Sequence, residues 1–461
     1  MILYVDIESN SQLIQKLPYF DFPLSVSSDS RSFKNENCFL SLYGPSFDSI
    51  DFIPDVIKKG ARVILIEESS KNHEKLSLLE NKYPAVIFIK VKNIFKFILE
   101  LGNRCSQRFQ NNGGKLIGLT GSNGKTTNKE MLRHLFSFLG AEKVHATSGN
   151  LNNQIGVPLT LFEIEGGHKV SIIEMGTNFP GEIKILSECA DPSVALITNI
   201  GHAHLEFLKN LDGVFEEKTA LFNHVEKKKS SNGIIIKNSF DDKIKNYKNN
   251  EIVLELNSNN FLFLEEGFEI TLNEAKYTVE NKYLLGNHQK LNMGLCVLLA
   301  CSLFPESIEH IILKAKSYTH PNMNRGEILE KYSRRFYLDA YNANPDSMKA
   351  SINSYISFLE KENVSVVDSL VILGDMNELG DMSKDLHEKI GISLREHGFL
   401  QAIFIGQYAN AYQKGFGKNS LLFETVTDFK KSFAGLNLDM KEVFIKGSRS
   451  LQLESILDIN W

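Results

Sequence analysis

The chain has 461 residues, enough for about three domains at ~150 residues each, and its 42% apolar and 23% charged content is that of an ordinary globular protein. Lys+Arg 51 against Asp+Glu 56 leaves a net charge of −5, which excludes the strongly basic surface of a nucleic-acid binder. Five cysteines (Cys38, Cys105, Cys189, Cys296, Cys301) are odd in number and lack Cys-x-x-Cys spacing, so they read as reduced, mostly buried thiols of a cytoplasmic protein. No basic region followed by an apolar signal core opens the chain. The longest near-apolar run, 291–304, is too short to span a bilayer and carries Asn292, so it reads as a buried helix and stable membrane insertion is not expected.

In chain order, strands are expected at 38–42, 62–67 and 85–91, with helices near 52–59 and 93–107, which makes a small α/β domain. The loop Ser27-Ser28-Asp29-Ser30-Arg31 has two open readings. Clustered Ser, Asp and Arg side chains hold a polar or phosphorylated ligand, or they form a capped turn with a solvated arginine. Asn111-Asn112-Gly113-Gly114 is a linker signal, and the first domain is bounded at 1–112.

Next, 115–120 is an apolar strand that runs into Gly121-Ser122-Asn123-Gly124-Lys125-Thr126-Thr127 and then a helix with Met131, Leu132, Leu135 and Leu139 on one face. This is the layout of a phosphate-binding loop: backbone N–H groups cradle oxyanions, Lys125 reaches the terminal phosphates and the Thr126 hydroxyl ligates Mg²⁺. The match is irregular, because Leu119 stands where the general pattern has glycine and Gly118 comes one step early. Short apolar strands at 169–174, 195–199 and 233–237 follow, so the central domain, 113–320, is expected to be a doubly wound parallel sheet. Lys227–Lys229 reads as a solvated helix end. A second shift comes at His320-Pro321-Asn322, after which strands at 335–339, 370–375, 402–406 and 443–446 and a helix over 351–359 form a third, Rossmann-like domain, 321–461.

Ligands on such sheets gather at the carboxyl ends of strands, which directs attention to Glu174 and to Thr198–His204. Glu174 is a hard oxygen ligand suited to Mg²⁺. His204 lies just beyond a strand end; a histidine there is either structural or a metal neighbour. Lys218 falls in a helix, and spacing alone reads it as solvated. His387 and Cys189 read as structural.

Several runs together resemble the Mur ligase family along nearly the whole chain. They are Thr120–Thr127, Asn152–Pro158, Glu174-Met175-Gly176, Thr198–Glu206, Leu285–Asn292, Asp339–Pro345, Leu373–Gly380 and Lys446–Ser450. The threonine-glycine spelling of the first accounts for the displaced glycine. The last three runs are similar to those of the member that joins D-Ala-D-Ala to UDP-MurNAc-tripeptide; Asp-Asn-Pro-Arg, usual in the member that adds the third amino acid, is absent. The resemblance implies a monomeric enzyme of three α/β domains: an N-terminal UDP-sugar domain, a central ATP-binding domain and a C-terminal domain that closes over ATP. It implies ATP and Mg²⁺ as cofactors, and amide formation through an acyl phosphate.

By position, Lys125 would stabilise the transferring phosphate, Thr126 and Glu174 would hold Mg²⁺, and His204 would serve a second metal position. Lys218 matches a lysine that relatives carboxylate with CO₂, which reverses the solvated reading. His288 and Asn292 match the adenine side, with Gln289 departing from the usual Asn, and Arg325 and Asp339 match the hinge side. Tyr341 either packs on the nucleotide or is an interface tyrosine. Ser28, Asp29, Ser30 and Arg31 match the motif that holds the UDP-sugar, and Asn153 falls in a substrate-side run. The alternatives are a Mur-type or folylpolyglutamate-type ligase with another amino donor, or a nucleotide-binding scaffold without catalysis.

Overall fold

The computed structural model describes residues 2–17, 19–44, 47–69, 72–228, 233–248, 252–319, 325–436, 438–459 and 461. Lys229 and the His320-Pro321-Asn322 signal lie outside the described residues. The layout is three α/β units, each built on its own sheet.

The first sheet is parallel, in the order Val26–Ser27, Cys38–Ser41, Val63–Glu67, Ile87–Val91. Its strands are mostly apolar because both faces are covered, with Ser27, Ser41 and Glu67 at strand ends and Lys90 the interior exception. Leu40, Leu65 and Ile89 pack on one side with Phe97, Ile98 and Leu101 of the helix Ile94–Asn111. Their neighbours Phe39, Ile64, Ile66 and Phe88 pack on the other with Ile53 and Val56 of Ile53–Lys58 and Leu76 and Leu79 of His73–Lys82, as the two-residue period of a strand requires. The Asn93 side chain caps Ile94–Asn111 by accepting from Lys96 N. That helix continues to Asn111, so only residues 112–114 separate it from the next strand. Gly102 on it sits so close to the middle unit that an added Cβ would meet Cys189 Sγ at 2.8 Å. The linker signal is a tight joint.

The middle sheet has six parallel strands in the order Ile252–Leu256, Ile234–Asn238, Val194–Ile197, Lys115–Thr120, Val170–Glu174, Val144–Ala146. Lys115–Thr120 lies inside it, so its carboxyl end opens between those of Val170–Glu174 and Val194–Ile197. The edge strands were not among the expected elements, nor was the antiparallel meander Phe261–Leu264, Gly267–Leu272, Ala275–Glu280. The meander turns at Asn273 and Glu274, both in the left-handed region, and closes over the helix Asn287–Leu303, where Phe261 fills the space beside Gly294. That helix is buried along most of its length, as expected of 291–304. No single helix among the described residues is long and apolar enough to cross a membrane.

The third sheet runs Glu327–Lys331, Arg334–Asp339, Glu442–Lys446, Ser369–Gly374, Gln401–Ile405, Ser420–Phe423, with only the first pair antiparallel. Its edge strands, Glu327–Lys331 and Ser420–Phe423, were not among the expected elements. The helix expected over 351–359 is Pro345–Lys361, started by a capping box in which Asn344 accepts from Ser347 N. Lys228 corrects the reading of a solvated helix end: its Nζ lies 2.6 Å from Asp191 Oδ1, because that aspartate sits at the neighbouring helix terminus. All five cysteines are buried and free.

Candidate active site

The glycine-rich turn is shaped by its neighbours. A Cβ on Gly121 would fall 1.8 Å from Thr198 Oγ1, and Gly124 holds φ 77° with Asn292 Nδ2 only 3.2 Å from where its Cβ would be; both positions need glycine. The turn is stapled to the next strand end. Ser122 N donates to Asn199 O at 3.0 Å, Asn123 N donates to Asn199 Oδ1 at 3.0 Å, and Thr198 Oγ1 donates to Asn123 O at 2.5 Å. The helix Lys125–Phe136 starts directly after Gly124, so its free N–H groups face the same space.

Lys125 Nζ donates to Gly121 O at 2.7 Å. Burial pushes its pKa down, Glu174 and Glu378 oppose that, and Arg325 adds to it. Thr126 Oγ1 donates to Glu174 Oε1 at 3.2 Å, which also accepts from Asn152 Nδ2 at 3.0 Å. Glu174 Oε2 is buried with no hydrogen-bond partner among the described residues. A buried carboxylate oxygen left open beside a phosphate loop and a threonine hydroxyl fits Mg²⁺, which takes one or two protein oxygens and draws the rest of its shell from phosphates and water. The described residues contain no cluster of three or more His, Cys, Asp or Glu, and this donor set does not require one. His204 Nδ1 lies 2.5 Å from Glu378 Oε2.

Lys218 is fully buried on the helix Leu211–Glu226, and its Nζ has no hydrogen-bond partner among the described residues. The spacing-based reading of a solvated lysine is therefore wrong, because this face of the helix packs inward. Burial drives its pKa well below the ordinary value, and the charge of Lys125 adds to the effect. The adjacent Glu217 is already engaged by Thr177 Oγ1 and Ile183 N at 3.0 and 2.7 Å.

The third unit reaches into the same space. Arg325 Nη2 donates to Thr126 Oγ1 at 3.1 Å, with its guanidinium 3.9 Å from the centre of the Tyr341 ring. Asn344 Nδ2 donates to Asn123 Oδ1 at 2.7 Å, and His202 Nδ1 lies 3.0 Å from Asp346 Oδ2. Asp339 accepts from Lys446 Nζ and Ser351 Oγ, both at 2.6 Å.

A cavity of about 730 Å³ is bordered by Ser122, Asn123, Gly124, Lys125, Thr126, Thr127, Asn153, Glu174, His204, His288, Asn292, Arg325, Asp339 and Tyr341. Gly121 and Lys218 stand behind its wall. Ser28, Asp29, Ser30 and Arg31 do not border it. Arg31 Nη2 pairs with Asp29 Oδ2 at 2.8 Å on an exposed loop, and that guanidinium holds the Asp29 carboxyl down at about 2. Asn153 Oδ1 accepts from Ile155 N and Gly156 N at 3.1 and 2.9 Å, so it is Asn152 that reaches Glu174. Asn152, Asn199, Asp346 and Glu378 went unassigned in the sequence. Each lies in or beside a recognised run, but only the fold shows that its side chain turns toward the loop. His387 accepts from Met376 N at 2.9 Å and is buried, which makes it structural as expected.

A phosphate loop on a doubly wound sheet, approached by polar side chains of a third α/β domain, is the arrangement of a three-domain ATP-dependent ligase. The Mur ligase middle-domain profile matches residues 119–300, and the profile described as Mur ligase, glutamate ligase domain, matches 324–448. The chain is 30% identical to a UDP-N-acetylmuramoyl-tripeptide--D-alanyl-D-alanine ligase of Bacillus subtilis, covering 79% of this chain and 76% of that protein. It is also 30% identical to the protein of that name from Buchnera aphidicola (subsp. Baizongia pistaciae), over 94% and 91% of the two chains. A crystal structure of MurF from Acinetobacter baumannii superposes with a TM-score of 0.78 at 27% identity, over 94% of this chain and 92% of that one. The chain belongs to the Mur ligase family.

Proposed function

We propose that this chain joins D-Ala-D-Ala to UDP-MurNAc-tripeptide with ATP, in the making of peptidoglycan precursors, as a monomer in the cytoplasm. The observation that carries the reading is the convergence of third-domain side chains (Arg325, Asn344) on a phosphate loop that adjoins Glu174, whose buried Oε2 has no hydrogen-bond partner among the described residues, with Asp346 meeting His202 at the strand end beside it. The names borne by full-length relatives support the choice of substrates. The working division is 1–112 for the UDP-sugar, 113–320 for ATP and 321–461 as the closing domain.

A carboxylate at neutral pH is a poor acyl donor. Transfer of the γ-phosphoryl group to the tripeptide carboxylate gives an acyl phosphate and ADP, and the D-Ala-D-Ala amine then displaces phosphate. The chain's task is positioning and charge neutralisation. The backbone of Gly121–Thr127 cradles the phosphates and Lys125 neutralises the transferring group. Thr126 and Glu174 would hold Mg²⁺, which when bound would supply charge stabilisation, and His204 would serve a second metal position. His288 and Asn292 take the adenine side; Arg325 and Asp339 take the hinge side and Tyr341 packs on the nucleotide; Ser28, Asp29, Ser30, Arg31 and Asn153 take the nucleotide-sugar substrate. Lys218, held toward its neutral form by burial, attacks CO₂ through its amine and loses a proton to give an anionic carbamate.

The test is ADP release by the purified chain given UDP-MurNAc-tripeptide, ATP, Mg²⁺ and D-Ala-D-Ala. We expect turnover that needs all four, and a loss of about 10²–10³-fold in kcat for Lys125→Ala. No ADP release with the complete mixture sinks the reading.

A further inference from the structure

The loop 374–380 of the third domain crosses to the end of the strand Val194–Ile197 in the middle domain, and it does so as a rigid piece. Ser448 N donates to Asp375 O at 3.0 Å, Asn377 N donates to Ser448 Oγ at 3.0 Å, and Met376 N donates to the buried His387 Nε2 at 2.9 Å. Burial holds that imidazole neutral, with its pKa near 4, so it remains an acceptor. The loop lands in two places. Glu206 N donates to Glu378 O at 3.2 Å, and Gly380 (φ 56°) approaches so closely that a Cβ there would lie 3.4 Å from Glu206 Cα.

Between these points the Glu378 carboxylate meets His204. Both residues hold left-handed backbone, φ 63° and 56°, although neither is glycine; such conformations persist where surrounding contacts enforce them. The contact is 2.5 Å from Glu378 Oε2 to His204 Nδ1. The two atoms are in contact without the alignment of a finished hydrogen bond. Glu378 also interacts electrostatically with Lys125. Its charge is therefore felt at the phosphate loop itself, where Glu174 Oε2 stands buried and open.

We propose that Glu378 is a positioning residue for the metal-assisted phosphoryl transfer: it holds Nδ1 of His204, a residue of the cavity wall, which leaves Nε2 as the lone pair that a bound cation would take, and does so only when the third domain is docked. This rests on the metal role given above to His204. The physical reason is general. A neutral imidazole carries one N–H and one lone pair, and a carboxylate at one nitrogen dictates that the other presents the lone pair. Because the carboxylate comes from a different domain, docking of that domain and completion of the cation site become one event.

The experiment is calorimetric titration of the full chain with ATP, once in EDTA and once with saturating Mg²⁺, for wild type, Glu378→Gln, Glu378→Asp and Glu378→Gly. For wild type, Mg²⁺ should tighten ATP binding. In Glu378→Gln, metal-free ATP should bind no more weakly than to wild type, since a negative charge near Lys125 is removed, while about tenfold of the Mg²⁺-dependent tightening is lost; Glu378→Asp should recover part of it. Glu378→Gly relieves the left-handed backbone and should melt no lower than wild type, yet lose the same tightening, which separates positioning from simple support of the interface. Full Mg²⁺-dependent tightening in the Gln and Gly variants, beside a responsive wild type, overturns the inference alone. A wild type whose ATP affinity ignores Mg²⁺ overturns the metal reading and the inference with it.

Discussion

Lys218 and Lys125 share a fully or partly desolvated setting, yet they are held differently. The Lys125 amine has a carbonyl partner in its own loop, whereas the Lys218 amine has no hydrogen-bond partner among the described residues and feels the charge of Lys125. Burying a charge without a partner costs free energy, so Lys218 weakens the fold. An unfolded lysine titrates near 10.5. Below that pH the unfolded chain holds a proton that the buried amine resists, and stability rises with pH wherever the unfolded state binds more protons. Lys218→Met should therefore raise stability by about 1–3 kcal/mol at pH 7, a gain that shrinks as pH approaches 10.5, while activity is lost. Urea unfolding in bicarbonate-free buffer across that range checks it, and a gain that grows with pH would contradict it. Lys218 could not be recognised as buried from helical spacing, because its helix presents polar residues on several faces. Only the resemblance pointed to it.

At the scale of elements, the phosphate loop depends on the strand end beside it. Thr198 and Asn199 supply the groups that fix Asn123, and Thr198 occupies the space that a side chain at 121 would need. Gly121→Ala should destabilise the chain by about 1–3 kcal/mol through overpacking and weaken ATP binding more than tenfold, read by denaturant midpoint and by nucleotide titration. Normal ATP affinity would show that the loop tolerates displacement. The inner strands of all three sheets were legible because buried parallel strands are short continuous apolar runs. The edge strands Val144–Ala146 and Glu327–Lys331 were not, since an edge faces water and mixes polar with apolar residues; Ile252–Leu256 and Ser420–Phe423 were missed although their sequences are largely apolar. The meander was missed although Phe268, Ile270 and Leu272 alternate as a half-buried strand should.

Across the whole molecule, the middle and third domains are joined by small polar contacts at the site. Asn344 meets Asn123, Asp346 meets His202 and Arg325 meets Thr126. Half-exposed pairs of this kind contribute about 1 kcal/mol or less each, beside a buried apolar cluster in which Leu205 and Leu208 of the middle domain and Met376 and Leu379 of the third take part; in the proposed closure over ATP, the polar pairs are the contacts that nucleotide would shift. Asp346→Ala should raise the KM for ATP about three- to fivefold, equivalent to ~1 kcal/mol, with the melting temperature little changed. Small-angle scattering without nucleotide should show a more extended particle. An unchanged KM and an unchanged scattering profile would remove Asp346 from the closure contacts. The first domain is joined differently: Ile94–Asn111 packs against the middle domain through Gly102 and Cys189.

From the sequence alone came the three-part α/β plan, the phosphate loop with its Leu119-Thr120-Gly121 spelling, and the placing of Glu174 at a strand end beside that loop. These are local signals, carried by apolar runs, glycines and short spacings. Tertiary structure decided what local signals do not encode: that Asn152 rather than Asn153 reaches Glu174, that Lys218 is buried, and that Glu378 meets His204 across a gap of more than 170 positions in the chain. The physical reason is that a carboxylate or an amine has the same composition at the surface and in the core, and only packing sets which charge it faces.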